Sequence, residues 1–228
     1  MPNLQFRVDA GRSKQTVEQT NRLLKAISEI QLAFARSGDG HSWFEQALQA
    51  FLDVTDSEFG VIEAVRCADD GLSQLQPQAI SDIPWDQALE VLYGSSSTDG
   101  LQLRSLDALL HETLRTSDLL ISNSNNDDGQ RRERPSGHPV LTAFIAIPIR
   151  LADQCVGIVG LANRPAGYDQ HLANWLEPLC STCATLMIAT RNEESLQLAE
   201  RQAAERQEEL RTILDTVNAS ILYLDVEG

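Results

Sequence analysis

The residues with the most chemical potential are four cysteines, Cys67, Cys155, Cys180 and Cys183, and a basic run, Arg131, Arg132 and Arg134, followed by His138. Cys180 and Cys183 form a C-x-x-C pair, the spacing of half a zinc site or of a redox disulfide. The pair lies inside an apolar helical pattern of Leu176, Leu179 and Leu186, and His171 is the nearest histidine. No second C-x-x-C or close histidine pair completes a zinc set. A buried cysteine acts as a small hydrophobe, so core packing is the expected role of both. Cys67 and Cys155 read as strand residues near turns, where a reactive thiolate is not expected. The arginines could hold an anionic ligand group, or form a solvated loop face. His138 could hydrogen-bond a ligand and titrate near neutral pH, or bond loop carbonyls. Trp85 and Tyr93 are suited to a pocket wall and equally to a helix core. Asn163 is a candidate ligand contact and also a turn former. No nucleophile–base pair, phosphate loop or paired acidic motif of known spacing is found, so an enzyme is not expected.

The rest of the composition narrows the partners. A net charge of −15 over 228 residues argues against nucleic acid and anionic lipid, both of which need a basic face. There is no apolar run long enough to span a bilayer, and residues 1–20 are too polar for a secretory signal. Four unevenly placed cysteines do not resemble a secreted disulfide framework. The expected location is cytoplasmic, with no membrane or nucleic-acid partner.

The elements that must position these residues follow from periodicity. Val17, Leu24, Ile27, Ile30 and Phe34 predict a helix that ends before Gly38 and Gly40. A second helix is predicted through Trp43, Phe44, Ala47, Leu48, Phe51 and Leu52, with Ser42 as its cap. Phe59, Val61, Glu63 and Val65 alternate with Gly60, Ile62 and Ala64 as a strand, and Leu72–Ile80 with Pro77 reads as an edge strand. Two short helical patterns follow, one with Trp85, Leu89 and Leu92, the other with Leu106, Leu109, Leu110 and Leu114. Leu119–Ile121 is a short strand, and Ser122–Pro139 is a long polar loop suited to a lid or binding loop. Leu141–Ile149 and Cys155–Ala162, joined at Ala152-Asp153, predict a buried hairpin in which Gly157 and Gly160 allow close approach. From Asp169 onward the pattern is helical, with a kink or restart expected at Pro178. Leu196, Ala203, Leu210 and Val217 keep a seven-residue spacing, with Ala199 and Ile213 offset by three. This sparse heptad suits a parallel dimer better than a solvated linker.

The central hairpin carries a family resemblance. Gly137-His138-Pro139-Val140-Leu141 and Phe144-Ile145-Ala146-Ile147-Pro148 resemble the GHPxL and FxxIP segments of bacterial GAF domains. Val156-Gly157-Ile158-Val159-Gly160-Leu161-Ala162-Asn163-Arg164-Pro165, then Gly167-Tyr168-Asp169, resembles the VGxxGLANRPxGYD segment of the same subgroup. Thr55-Asp56-Ser57-Glu58-Phe59-Gly60 is similar to that group's opening of the first strand, and the match spans roughly 42–189. The resemblance implies an α+β fold, a GAF-like antiparallel sheet flanked by helices, with long N- and C-terminal helices. It implies a small-molecule pocket between one sheet face and the variable helices and long loop. Phe59 and Phe144 join Trp85, Tyr93, Arg131, Arg132, His138 and Asn163 as its candidate contacts.

The cofactor remains open. GAF proteins that bind a bilin covalently do so through a cysteine near the 136–141 segment, which has none, so covalent bilin is not expected. Asn163-Arg164 and Asp169 echo only the start of the cyclic-nucleotide pattern. Ile213-Leu214-Asp215 and Ile221–Gly228 resemble the opening of a PAS domain, which implies a fragment of a longer receptor with a strand beginning there. The expected organisation is a tail and signalling helix at 1–40, the GAF domain at 41–190, a coiled-coil-like linker at 191–217, and a truncated PAS-like start at 218–228. The expected function is a regulatory input domain that binds a small molecule and signals through dimeric helices to a histidine kinase or cyclic-di-GMP enzyme. The alternatives are a ligand-free dimerisation and relay module and a cysteine-based sulfoxide reductase.

Overall fold

The computed structural model describes residues 3–37, 41–67, 73–81, 103–123 and 142–226, with side chains described except at 3–16, 67, 103–108 and 215–226. Two compact units divide the chain, residues 1–187 and 188–228. Helix α1 spans Asn3–Arg36 and α2 spans Trp43–Thr55. The sequence pattern places the start of α1 near Val17, yet the helix begins at Asn3. Residues 3–16 contain no proline and one glycine, so nothing in them stops a helix once the downstream turns are fixed. The buried stripe of α1 is Leu23, Ala26 and Ile30, whereas Val17 and Leu24 are 59% and 56% exposed. The face is rotated from the predicted one because small Ala26 lets α1 come close to α2. Phe34 meets Trp43 edge-on across this contact, with ring centroids 6.2 Å apart.

Ser42 holds the N-cap position of α2 in helical backbone (φ −61) but makes no capping bond; its hydroxyl lies 2.9 Å from that of Ser37. A cap needs extended backbone to aim its oxygen at the first free N–H groups, and Ser42 lacks it. At the other end Asp56 takes left-handed backbone (φ 55) and its N–H donates to Leu52 O.

Among the described residues, five antiparallel strands form one sheet in the order β2-β1-β5-β4-β3. They are β1 (Phe59–Cys67), β2 (Ser73–Ile80), β3 (Leu120–Asn123), β4 (Ala143–Leu151) and β5 (Gln154–Ala162). Pro77 lies on the edge strand beside a register shift, where a missing N–H costs least. Ala152 turns the β4–β5 hairpin in left-handed backbone, φ 52. Helix α3 (Leu103–Thr116) precedes β3, and α4 runs from Gln170 to Val226.

Alternation gives the sheet two faces. Gly60, Ile62, Gly157, Val159 and Leu161 point toward α2 and the first part of α4, while Phe59, Val61, Phe144, Ala146, Ile158 and Ala162 point toward α3. The two glycines of β5 serve opposite faces. A Cβ on Gly157 would lie 2.7 Å from Glu63 O and from Met187 of α4; one on Gly160 would lie 3.2 Å from Leu110 of α3.

Leu172, Leu176, Leu179, Cys183 and Met187 form the buried stripe of α4 in the first unit. Pro178 neither breaks nor restarts the helix. Pro178 and Asn174, whose carbonyl loses its partner, are both exposed, so water can take the lost bond. In the second unit α4 continues helical through Val226, where the resemblance implied a strand. A helix satisfies its backbone internally, whereas a lone strand has no neighbour to bond. Among the described residues no helix is long and apolar enough to cross a membrane.

Candidate functional site

Phe59 and Phe144, two of the candidate ligand contacts, lie on the α3 face of the sheet, 9% and 3% exposed. They flank Ala162 in register, one from β1 and one from β4, so two rings border a small residue. One row along, Leu110 of α3 covers Gly160 beside Val61. The next row along β1 is Glu63, paired across the sheet with Ile158 on β5 and Pro77 on β2. Glu63 is only 6% exposed, a carboxylate within an otherwise apolar row. Sequence reading passed over it as one position in an alternating strand. The signal was available: in a sheet covered on both faces, a charged residue in phase with Phe59 and Val61 has no solvent side. Trp85, Tyr93, Arg131, Arg132 and His138 lie outside the described residues.

Asn163 follows β5 in left-handed backbone (φ 59), and its groups are committed to the framework. Its N–H donates to Ala143 O at 2.9 Å, its Oδ1 accepts from Thr142 N–H at 2.9 Å, and its Nδ2 donates to the Glu58 carboxylate at 3.0 Å. Arg164 continues the pattern, donating through Nε to Thr55 O at 2.9 Å and through Nη1 to Gly167 O at 2.6 Å. Tyr168 is buried, with its hydroxyl 2.8 Å from that of Ser57. Burial raises the Tyr168 pKa, and the bond to Ser57 opposes that shift in part. The Asn123 side chain brackets the Tyr168 backbone, accepting its N–H at 2.9 Å and donating to its carbonyl at 2.8 Å. Asp169 caps α4 by accepting the Leu172 N–H at 2.7 Å. The Asn163–Asp169 run therefore ties the ends of α2, β3, β4 and β5 to the start of α4. These are backbone-fixing bonds, which explains why such a run is so specific in sequence.

Cys180 and Cys183 lie in the core, 6% and 0% exposed, as their helical pattern predicts. Burial raises the Cys180 thiol well above its ordinary value and pushes that of Cys183 up to about 12. Cys155 is half-buried; burial raises its pKa too, and its thiol donates to Gly157 O at 3.3 Å. The three therefore hold the neutral thiol at neutral pH, the unreactive form. Among the described residues no cluster of His, Cys, Asp or Glu could hold a metal ion.

A wide groove of about 1300 Å³ lies at the other side, between α1, α2 and β2. Its cations are engaged: Arg22 bonds Asp53 O and lies 3.4 Å from Asp56, and Lys25 lies 3.6 Å from Glu29. It is open and polar, unlike the enclosed apolar sites that retain small molecules. Its volume alone does not make it the ligand site.

The family model for the GAF domain matches residues 41–187. In fold, the chain is similar to the GAF domain of the Acinetobacter phosphoenolpyruvate-protein phosphotransferase, at 13% identity and TM-score 0.53, over 77% of this chain and 95% of that one. The GAF domain of the corresponding Coxiella burnetii protein gives 12% and 0.52, over 76% and 97%. The free methionine-R-sulfoxide reductase of Neisseria meningitidis gives 11% and 0.49, over 75% and 91%. No curated protein matches the chain. The sheet order, the packing of its two faces and the match over residues 41–187 agree, and the chain belongs to the GAF-domain family.

Proposed function

We propose that this chain is a regulatory input module. A small molecule binds on the α3 side of the sheet, and α4 carries the event through a homodimer of the terminal helices to an output domain, a histidine kinase or cyclic-di-GMP enzyme. The observation that carries this reading is the change of character along α4. Its early residues, Leu176, Leu179 and Cys183, are core, whereas Leu196, Leu210 and Ile213 are more than half exposed on an otherwise charged helix. Apolar residues exposed at heptad spacing are what a two-stranded coiled coil covers. Coupling requires that the ligand favour one of two arrangements of that helix.

A metabolite screen by thermal shift, run with light scattering, tests both halves. The reading expects at least one ligand class to raise Tm and expects a dimer at micromolar concentration. Leu210→Glu should give a monomer that still binds the ligand. A monomeric wild-type protein, or a Tm that no metabolite moves, rejects the corresponding half.

One observation favours the ligand-free relay module instead: Leu110 already fills the space over Gly160, so this part of the α3 face is packed. Loss of every ligand shift with the dimer intact would select that alternative.

A further inference from the structure

The start of α4 is held from two sides, and the two ties differ in kind. On one side stands the end of α2. The Tyr168 hydroxyl lies 2.8 Å from that of Ser57, which lies 2.6 Å from that of Thr55, and Thr55 donates to Phe51 O at 2.7 Å. Phe51 and Thr55 are buried, so this tie ends in packed structure. On the other side stands β3. Its last residue, Asn123, accepts the Tyr168 N–H at 2.9 Å and donates to the Tyr168 carbonyl at 2.8 Å. Gly167 leaves room for that contact, since a Cβ there would lie 3.0 Å from Asn123 Oδ1, on backbone already left-handed at φ +68. Tyr168 is thus held by its ring at α2 and by its backbone at β3. The next residue, Asp169, caps α4 through the Leu172 N–H. Of the two supports, β3 is the weaker: four residues running from half-buried to exposed, bonded among the described strands to β4 alone. Short exposed elements of this kind open at low free energy. Yet β3 borders the α3 face, for Ser122 pairs with Phe144, and Leu120 packs on the same apolar cluster. In sequence, Asn123 leads directly into the segment that carries Arg131, Arg132 and His138.

We propose that Asn123 is a clasp that passes the state of β3 to the first turn of α4, a positioning residue for that turn. Its use in signalling rests on the input-module reading above. With β3 seated on β4, the two Asn123 bonds hold the Tyr168 backbone and aim Asp169 at the Leu172 N–H. When β3 leaves β4, Asn123 goes with it and both bonds are lost together. The Tyr168 backbone then turns about its ring, which Ser57 keeps in place. The first turn of α4 loosens, while the stripe from Leu176 onward stays packed in the core. The device therefore has two states, distinguished by a pair of hydrogen bonds that form or break as one. A ligand that seats or unseats β3 biases the same two states at the start of α4.

The experiment is a double-mutant cycle on the full chain, read by amide hydrogen exchange. Leu120→Ala loosens β3 without touching Tyr168. The reporters are the N–H groups of Leu172 and Ala173, both bonded to Asp169, and Val159 on the central strand β5 reports global opening. In the wild-type background Leu120→Ala is expected to speed exchange at Leu172 and Ala173 by about tenfold beyond any change at Val159. In the Asn123→Ala background, where the clasp is already gone, it should speed them by about twofold or less. Asn123→Asp keeps the acceptor for the Tyr168 N–H and loses the donor, so its response should fall between the two; it also replaces Asn123→Ala if that variant does not fold. A response of equal size in every background, one absent from the wild type, or one shared fully by Val159 overturns the clasp. No ligand and no dimer enter this measurement. A failed cycle therefore leaves the input-module reading standing, and a failed ligand screen leaves the clasp standing.

Discussion

Gly157 and Gly160 of β5 face opposite sides of the sheet and meet different kinds of neighbour. On the face covered by α2 and the first part of α4, Gly157 approaches a backbone carbonyl, Glu63 O, to a distance that leaves no room for a Cβ. On the α3 face, Gly160 meets only the ends of side chains, Val61, Leu110 and Phe144 at 3.1, 3.2 and 3.4 Å. A side chain can change rotamer by tenths of an ångström at small cost, but a strand carbonyl cannot move without its ladder. Gly157 therefore has one neighbour that cannot give way, whereas those of Gly160 can.

The largest expected effect lies on α4, beside the Gly157 contact. Burial holds the Cys183 thiol up from 9.0 to about 12. The folded chain keeps a proton that the unfolded chain releases above pH 9, so stability is full below pH 9 and falls as pH rises toward 12. At about 1.4 kcal/mol per pH unit the interval removes about 4 kcal/mol. Urea unfolding at pH 8, 9.5 and 11 should show the fall, and Cys183→Ala should reduce it, leaving the part that the buried Cys180 contributes with the same sign.

Gly157→Ala should cost about 3 kcal/mol by the same assay, since overpacking against backbone has no cheap relaxation. Asn123→Ala removes both bonds that bracket Tyr168 and should cost about 2 kcal/mol, an effect on the framework at the margin of both faces. Gly160→Ala should cost about 1 kcal/mol or less, because Leu110 and Val61 can shift. Equal costs at Gly157 and Gly160 would remove the distinction between the two positions. If Gly160→Ala also weakens ligand shifts while Gly157→Ala spares them in the folded fraction, the distinction becomes functional.

Much of this architecture was legible in the sequence because hydrophobic alternation and turn residues are local signals. The hairpin at Ala152-Asp153, the edge strand with Pro77 and the core cysteines all follow from a few neighbouring residues. What was not legible depends on contacts distant in sequence. The stripe of α1 turned toward Ala26 because α2 lies close there, and Ser42 failed as a cap because of its own backbone angle. Asn163 was weighed as a ligand contact and as a turn former; its bonds to Thr142 and Glu58 place it in the framework. Glu63 was the opposite case, a polar residue whose phase with Phe59 and Val61 marked it for the covered face and which sequence reading passed over. Of the candidate site contacts, Phe59 and Phe144 share a face because each pairs with Ala162, and the sequence shows neither pairing directly.

The sheet order carries a consequence for how the protein is made. β5 is the last strand in the chain, yet it sits at the centre, between β1 and β4. During synthesis β1 and β2 can pair as soon as they emerge, but Phe59 must wait for Ala162, its partner about a hundred residues later. Until then the inner edge of β1 carries unsatisfied N–H and C=O groups and buries nothing. The sheet is therefore expected to fold late and in one step, once β5 arrives, and to spend its nascent life as a target for chaperones. A ribosome stalled before residue 154 should display a chain that proteases cut freely, and one stalled well beyond 187 a chain that they do not.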